Sequence, residues 1–249
     1  MNEHQLSKRL MQVAEYVPHG SRMADIGSDH AYLPIFLVLN GKISFAIAGE
    51  VNDGPYESAK AQVDRLGLQG VVDVRKGDGL AVIDAEEVDV ICIAGMGGAL
   101  IRQILSEQSS KLNQVKRLIL QPNVASHILR EWCLENGWEL KDERMVAEDD
   151  KYYEVLIADR GTPSVPYEQL PEAWRLHALT MGPFLLRHPN QAFIDKWTYE
   201  LNKRKKILES LDNGVGPDVE EKKKLIETEM AMIQEGLKYG SRSDDHPMV

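Results

Sequence analysis

Four acidic residues and a histidine occupy places in the first eighty residues where short apolar runs break off. Asp25, Asp29 and His30 lie in ADIGSDHAYLP (24–34), Glu50 in IAGEVND (47–53) and Asp78 in GDGL (77–80). A carboxylate accepts two hydrogen bonds at once, so it suits a pair of sugar hydroxyls or an amine. The lone glycine of the first stretch, Gly27, admits a close approach of ligand to backbone. These turns are poor phosphate cradles. GxxxxGK[ST] is absent, GxGxxG does not follow the first apolar run, and Asp29 stands where a pyrophosphate would be repelled.

A cationic ligand with a ribose and no phosphates fits such turns better, and S-adenosylmethionine is one: a sulfonium, an amino acid and a nucleoside. Glu50, 25 residues after Asp25, is placed for both ribose hydroxyls, Asp78 for the adenine amine and Gly27 for the methionine part. Each residue has a plainer reading. Asp25 could cap a helix, Glu50 could be solvated surface, Asp78-Gly79 a simple turn and His30 a helix-start hydrogen-bonding residue. Their joint arrangement favours a site.

The elements that must position them alternate. The hydrophobic pattern predicts strands over Arg22–Ile26, Ile43–Gly49, Val71–Arg75, Val88–Ala94 and Val115–Leu120. Helices are expected over Ala31–Leu39, Asp53–Leu66, Ala99–Leu105 and Val124–Glu135, after an opening amphipathic segment carrying Leu6, Leu10, Val13 and Val17. Trp138–Glu148 and Tyr152–Ala158 read as a closing antiparallel pair. Such alternation implies a parallel sheet with helices on both sides. Ligands then bind beyond the carboxyl ends of the strands. The residues expected there include Gly27-Ser28-Asp29-His30, Glu50-Val51, Gly77-Asp78-Gly79, Ala94-Gly95-Met96-Gly97-Gly98 and Gln121-Pro122-Asn123.

Beyond Gly161 the character changes. RGTPSVPYEQLP brings three prolines together, and then Phe193, Trp197, Leu201, Leu208 and Leu211 follow helical spacing. After DNGVGP, Ile226, Met230, Ile233 and Leu237 repeat it. The pattern predicts two long helices in a coiled hairpin, giving a domain over 1–161, a helical domain over 162–239 and a polar, frayed tail over 240–249. Two basic runs, Lys203-Arg204-Lys205-Lys206 and Lys222-Lys223-Lys224, lie on this hairpin.

Composition narrows the class. With 249 residues, 43% hydrophobic and 27% charged, the chain reads as globular. It has no apolar run of bilayer length and no signal-peptide core, so a cytoplasmic enzyme is expected. The two cysteines, Cys92 and Cys133, read as small buried hydrophobes, with no metal-binding spacing. The net charge of −10 argues against a nucleic-acid partner at first. Yet residues 1–160 carry 17 basic against 25 acidic side chains and the remainder 12 against 14, so the acidity sits mainly in the first part.

ADIGSDHAYLP, IAGEVNDGP, GDGL, IAGMGG and LQPN, in this order and followed by a helical hairpin, resemble the bacterial tRNA (adenine-N1)-methyltransferases that modify adenosine 22. The resemblance extends to about residue 238. It implies a Rossmann-like class I methyltransferase domain, S-adenosylmethionine as donor and a C-terminal coiled coil that helps hold tRNA. By it, Gly27, Asp29 and His30 fall in the first cofactor motif, with Asp25 and Ser28 beside them. Glu50, Val51, Asp78 and Gly79 fall in the second and third, and Ala94, Gly95 and Met96 close the pocket. Asp29 and Ala31 stand where the wider class has its second and third glycines, which puts the backbone geometry there in question.

The wider class uses [Asp/Asn]-Pro-Pro-aromatic after strand four to methylate an exocyclic amine; here the chain reads Ala94-Gly95-Met96-Gly97. Ring N1 carries an in-plane lone pair, so its methylation needs alignment more than deprotonation. The ring becomes cationic, and a carboxylate stabilises it. Asp29 is the candidate for that role, with His30 beside it. Tyr32, Gln121, Pro122 and Asn123 are expected at the adenine, which must be turned out, or the local fold opened, to expose N1, and Lys203 to Lys206 at the phosphates. No metal is expected, and the protein is expected to be a monomer or weak dimer. Two other readings stand beside this one: a small-molecule or protein methyltransferase whose coil serves dimerisation, which suits the acidic composition, and a non-catalytic RNA-binding or interaction protein on a degenerate Rossmann scaffold.

Overall fold

The computed structural model describes residues 5–211 and 217–243. The chain divides into two compact units, Met1–Pro166 and Tyr167–Val249, with the break inside the proline-rich stretch. The first unit opens with α1 (Lys8–Tyr16), whose start is capped by Ser7: its hydroxyl oxygen accepts the Leu10 N–H at 3.3 Å. There follow β1 (Arg22–Ile26), α2 (Tyr32–Leu39), β2 (Phe45–Glu50), α3 (Asp53–Leu66) and β3 (Val72–Lys76), then β4 (Val90–Gly97) and α4 (Gly98–Glu107). β5 (Arg117–Val124), α5 (Ser126–Glu135), β6 (Trp138–Glu148) and β7 (Lys151–Arg160) complete the run, and the short α6 (Val165–Glu168) spans the break.

The seven strands form one sheet in the order β3-β2-β1-β4-β5-β7-β6. β1 to β5 are parallel, while β7 runs antiparallel to β5 and to β6. Strand order reverses between β1 and β4, which puts the ligand crevice at their carboxyl ends. Side chains alternate across each strand. On one face Met23, Ala46, Ala48, Val72, Val90, Cys92 and Ile119 pack with Val13 of α1, Leu33, Ile35 and Leu37 of α2, and Ala59 and Val63 of α3. The alternate residues, among them Ile47, Ile91, Ile93, Leu118 and Leu120, are buried too, as a sheet covered on both faces requires.

β4 and β5 run furthest past the ends that the hydrophobic pattern predicts. β4 continues through Ala94, Gly95 and Met96 to Gly97, with register irregularities at Ala94/Met96 and Met96/Gly97. β5 continues through Gln121, Pro122 and Asn123 to Val124, so these residues lie within the strand and not beyond it. The polar side chains and the glycine masked the continued pairing, in which Gln121 stands opposite Ala94 and Pro122 opposite Met96.

A buried cluster ties α5 to the closing strands. Arg130 of α5 donates to Glu143 of β6 at 2.7 Å and also to Glu154 of β7, all three being almost fully buried.

The second unit contains α7 (Arg175–Met181), α8 (Pro183–Arg187), α9 (Gln191–Leu211) and α10 (Pro217–Ser243). α7 and α8 were not apparent from the sequence. Phe193 and Trp197 of α9 and Ile226 and Ile233 of α10 are buried, while Arg204 of α9 bridges to Glu229 of α10 at 2.8 Å. α10 approaches its neighbours closely at two glycines: a methyl added at Gly236 would meet Met181, and at Gly240 would meet Pro189. The helix therefore runs on to Ser243, past the expected start of the tail at 240, because its glycines continue to pack. The expected turn at 212–216 and the tail beyond 243 lie outside the described residues.

Candidate active site at the carboxyl rim of the sheet

The turn after β1 has an unusual backbone. Gly27 has φ 71°, and three successive residues with side chains, Asp29, His30 and Ala31, have φ 45°, 67° and 56°. Left-handed backbone costs a residue with a Cβ about 1–2 kcal/mol, so neighbouring structure must hold this run in place. It is stitched to the end of β2. The N–H groups of Gly27 and Ser28 both donate to the Gly49 carbonyl, at 2.9 and 3.2 Å, and the N–H of Asp29 donates to the Glu50 carboxylate. Ala31 then accepts from Ile35 at 3.0 Å as α2 begins.

This geometry sorts the carboxylates. Asp25 and Glu50 are buried, whereas the Asp29 side chain is largely exposed. Burial pushes Asp25 up to about 6, against the Ser28 hydroxyl, which donates to it at 2.7 Å. Asp25 does not cap α2, whose N-cap position is Ala31 and which has no side-chain cap. Burial also raises Glu50, while the Asp29 N–H and the charge of His30 oppose the rise. Cys92, opposite Asp25 across β1 and β4, is buried and its thiol is pushed well up; Cys133 is buried as well. His30 lies with Nδ1 2.5 Å from the Ser58 hydroxyl of α3 and Nε2 3.5 Å from Asp29, while Tyr32 has its ring centroid 5.4 Å away.

Asp78 is exposed after β3, its side chain making no hydrogen bond among the described residues, and Gly79 packs under Ile104. Val51 is exposed beside Glu50. Met96 lies over Gly27, where an added methyl would fall 2.2 Å from its terminal carbon.

At the end of β5 the structure gives the amides internal work. Gln121 is fully buried, and its side-chain oxygen accepts both the Gly95 N–H at 3.0 Å and Arg9 Nη1 at 2.5 Å. Asn123 donates to the Gly95 carbonyl at 2.7 Å. Together they hold Gly95, at φ 80°, in the irregular end of β4 that aims Met96. Pro122 is buried beside them. Of Gln121, Pro122 and Asn123, only Asn123 is exposed at the rim.

In the second unit Arg204 is engaged by Glu200 at 2.6 Å and Glu229 at 2.8 Å, so the basic run divides: Arg204 bridges helices, while Lys203, Lys205 and Lys206 are exposed. Arg9, Ser58 and Tyr153 escaped the sequence reading. None sits in a motif, and Arg9 and Tyr153 meet only in the fold, with the guanidinium 5.1 Å from the ring centroid. A cleft of about 710 Å³ lies at the opposite edge near Ser21, Val90 and Arg117. Its Lys116 and Arg117 are paired to Asp89 and Asp159. Parallel sheets carry their ligands at the other end, and the carboxylate constellation is there.

Five parallel strands, an antiparallel closing pair, and an acid ending the strand beside β1 define a Rossmann-like methyltransferase fold. The chain belongs to the tRNA (adenine(22)-N(1))-methyltransferase family, TrmK, whose family model matches residues 23–235. Over 241 residues it is 46% identical to the tRNA (adenine(22)-N(1))-methyltransferase of Bacillus subtilis (strain 168), covering 96% of this chain and all of that one. The crystal structure of the B. subtilis enzyme matches with a TM-score of 0.86 at 45% identity, over 94% of this chain and 99% of that one. A Streptococcus pneumoniae structure in complex with S-adenosyl-L-methionine matches with a TM-score of 0.82 at 39% identity, over 94% and 100%.

Proposed function

We propose a division of labour among the rim residues for the reaction of this family. The chain is an S-adenosylmethionine-dependent methyltransferase acting on N1 of adenosine 22 in tRNA. The residues present suit that donor. Glu50 offers a buried carboxylate whose second oxygen is left for ribose hydroxyls once Oε1 has taken the Asp29 N–H. Exposed Asp78 has acceptor capacity for the adenine amine, and Gly27 brings backbone close to the methionine part, with Met96 as the wall opposite. Asp25, through Ser28, shapes the turn from below.

S-adenosylmethionine, when bound, supplies a methyl group made electrophilic by its sulfonium. The target adenine needs no base, because N1 already presents a lone pair in the ring plane. Asp29 holds negative charge where the ring turns cationic, and His30, set by Ser58, orients that carboxylate. Asn123 and Tyr32 border the base. The observation carrying this reading is the exposed Asp29 carboxylate on a strained turn bonded through its backbone to Glu50.

α9 and α10 form a coiled hairpin that guides tRNA with exposed Lys203, Lys205 and Lys206. The first unit, to Pro166, is the catalytic domain and the second, through α10, the RNA-holding domain of a cytoplasmic monomer or weak dimer. The test is transfer of labelled methyl from S-adenosylmethionine to unmodified tRNA, with nucleoside analysis and mapping. N1-methyladenosine at position 22, with turnover lowered about 10- to 100-fold in Asp29→Asn at unchanged cofactor affinity, is the expected result. Full turnover in that variant removes Asp29 from the mechanism.

A further inference from the structure

Arg9 is a half-buried cation at the rim whose guanidinium donates to a neutral amide, Gln121. It makes no ion pair among the described residues, in an acidic chain where Arg75, Arg117, Arg130 and Arg204 are all matched to carboxylates. Two acids, Glu148 and Asp149, line the same cleft of about 490 Å³, yet neither comes within 4 Å ion-pairing distance. Glu148 accepts the Lys8 backbone N–H at 2.6 Å instead. The guanidinium is held from two further sides, by Tyr153 at 5.1 Å and by Gly95, where an added methyl would lie 3.2 Å from Nη1. A planar fork fixed on neutral neighbours, with N–H donors to spare, is suited to a carboxylate or phosphate.

We propose that Arg9 is the anion-receiving residue of the rim, a positioning residue that anchors a negatively charged part of a bound reactant. Two sources share that chemistry: the α-carboxylate of S-adenosylmethionine and a phosphate of the target nucleotide. The adenine ring is excluded as its direct partner, because the ring becomes cationic during methylation and a guanidinium beside it would oppose the reaction. The proposal rests on the methyltransferase reading of the site, so wild-type methylation of adenosine 22 is measured alongside.

The experiment compares the full chain with Arg9→Met, which keeps the apolar stem, and Arg9→Lys, which keeps the charge without the fork. Calorimetry with S-adenosylhomocysteine and with 5′-methylthioadenosine, which lacks the amino acid, reads the first source. If Arg9 holds the carboxylate, Arg9→Met loses about 10- to 100-fold affinity for the former and is unchanged for the latter. If it holds a phosphate, both affinities stay, the KM for tRNA rises about tenfold, and its salt dependence flattens by about one counterion. Partial recovery in Arg9→Lys is expected in either case. Equal loss for both nucleosides marks a role limited to propping Gln121 and overturns the proposal. So do values all within twofold of wild type. Failure of wild-type protein to methylate adenosine 22 would instead strike the functional reading.

Discussion

The backbone N–H of Asp29 donates to the carboxylate of Glu50, so one acidic residue is held in place by the other's peptide group. This bond joins the strained turn after β1 to the end of β2, and it couples cofactor binding to the position of the exposed carboxylate. Glu50→Gln retains an oxygen for the Asp29 N–H but gives up acceptor capacity toward the ribose. Cofactor affinity should fall about 10- to 100-fold with the turn intact. Glu50→Ala should also speed amide exchange at Asp29. Calorimetry and hydrogen exchange read the two effects separately.

Asp25 gives the protein a pH-dependent stability of known sign. Its folded pKa, about 6, lies above the ordinary 3.8 because burial disfavours the anion. Its contribution is therefore fully present below about 4 and is lost as pH rises through 6, to the extent of roughly 3 kcal/mol. Asp25→Asn should flatten that part of the melting-temperature profile between pH 4 and 7. A wild-type and variant profile of equal slope there would refute the assignment.

Gly98 begins α4 against a rigid neighbour. An added methyl would stand 2.3 Å from the Ala125 carbonyl oxygen, and that backbone has no rotamer by which to give way. Gly98→Ala should cost about 1–3 kcal/mol in urea denaturation. Gly27→Ala meets the flexible end of Met96, so its defect should appear more in cofactor affinity.

Removing Arg130 strands two carboxylates, Glu143 and Glu154, in the interior. Arg130→Met should destabilise the protein by about 3–5 kcal/mol, and replacing all three residues by apolar ones of similar volume should restore much of it. Denaturant midpoints of the single and triple variants provide the check.

Lys203, Lys205 and Lys206 are exposed, while Arg204 is committed to Glu200 and Glu229. Changing the three lysines to glutamine should weaken tRNA binding about tenfold and flatten its salt dependence, leaving cofactor affinity and melting temperature alone. Arg204→Ala should lower the melting temperature instead.

Much of the fold was legible because the signals are local. β1 and α3 fall at the bounds their hydrophobic periodicity predicts, and the ring of rim turns follows from strand-helix alternation. Strand ends at Gly95 and Gln121 were cut short because pairing is a property of two strands, and a polar residue satisfied across the sheet looks, in one strand, like a loop. Gln121 read as a base-holding amide until burial and two donors assigned its oxygen.

The chain by itself determined the Rossmann-like class, the carboxylates at and beyond the strand ends and, through its motifs, the family. Those depend on residue type and spacing along a backbone of fixed period. Tertiary structure alone decided which carboxylates are buried and which is free to face a substrate, that Asp29, His30 and Ala31 share a left-handed run, and that Arg9 reaches the rim from α1. Exposure, pKa and hydrogen-bond partner are set by atoms far apart in sequence, and only packing brings them within range of one another.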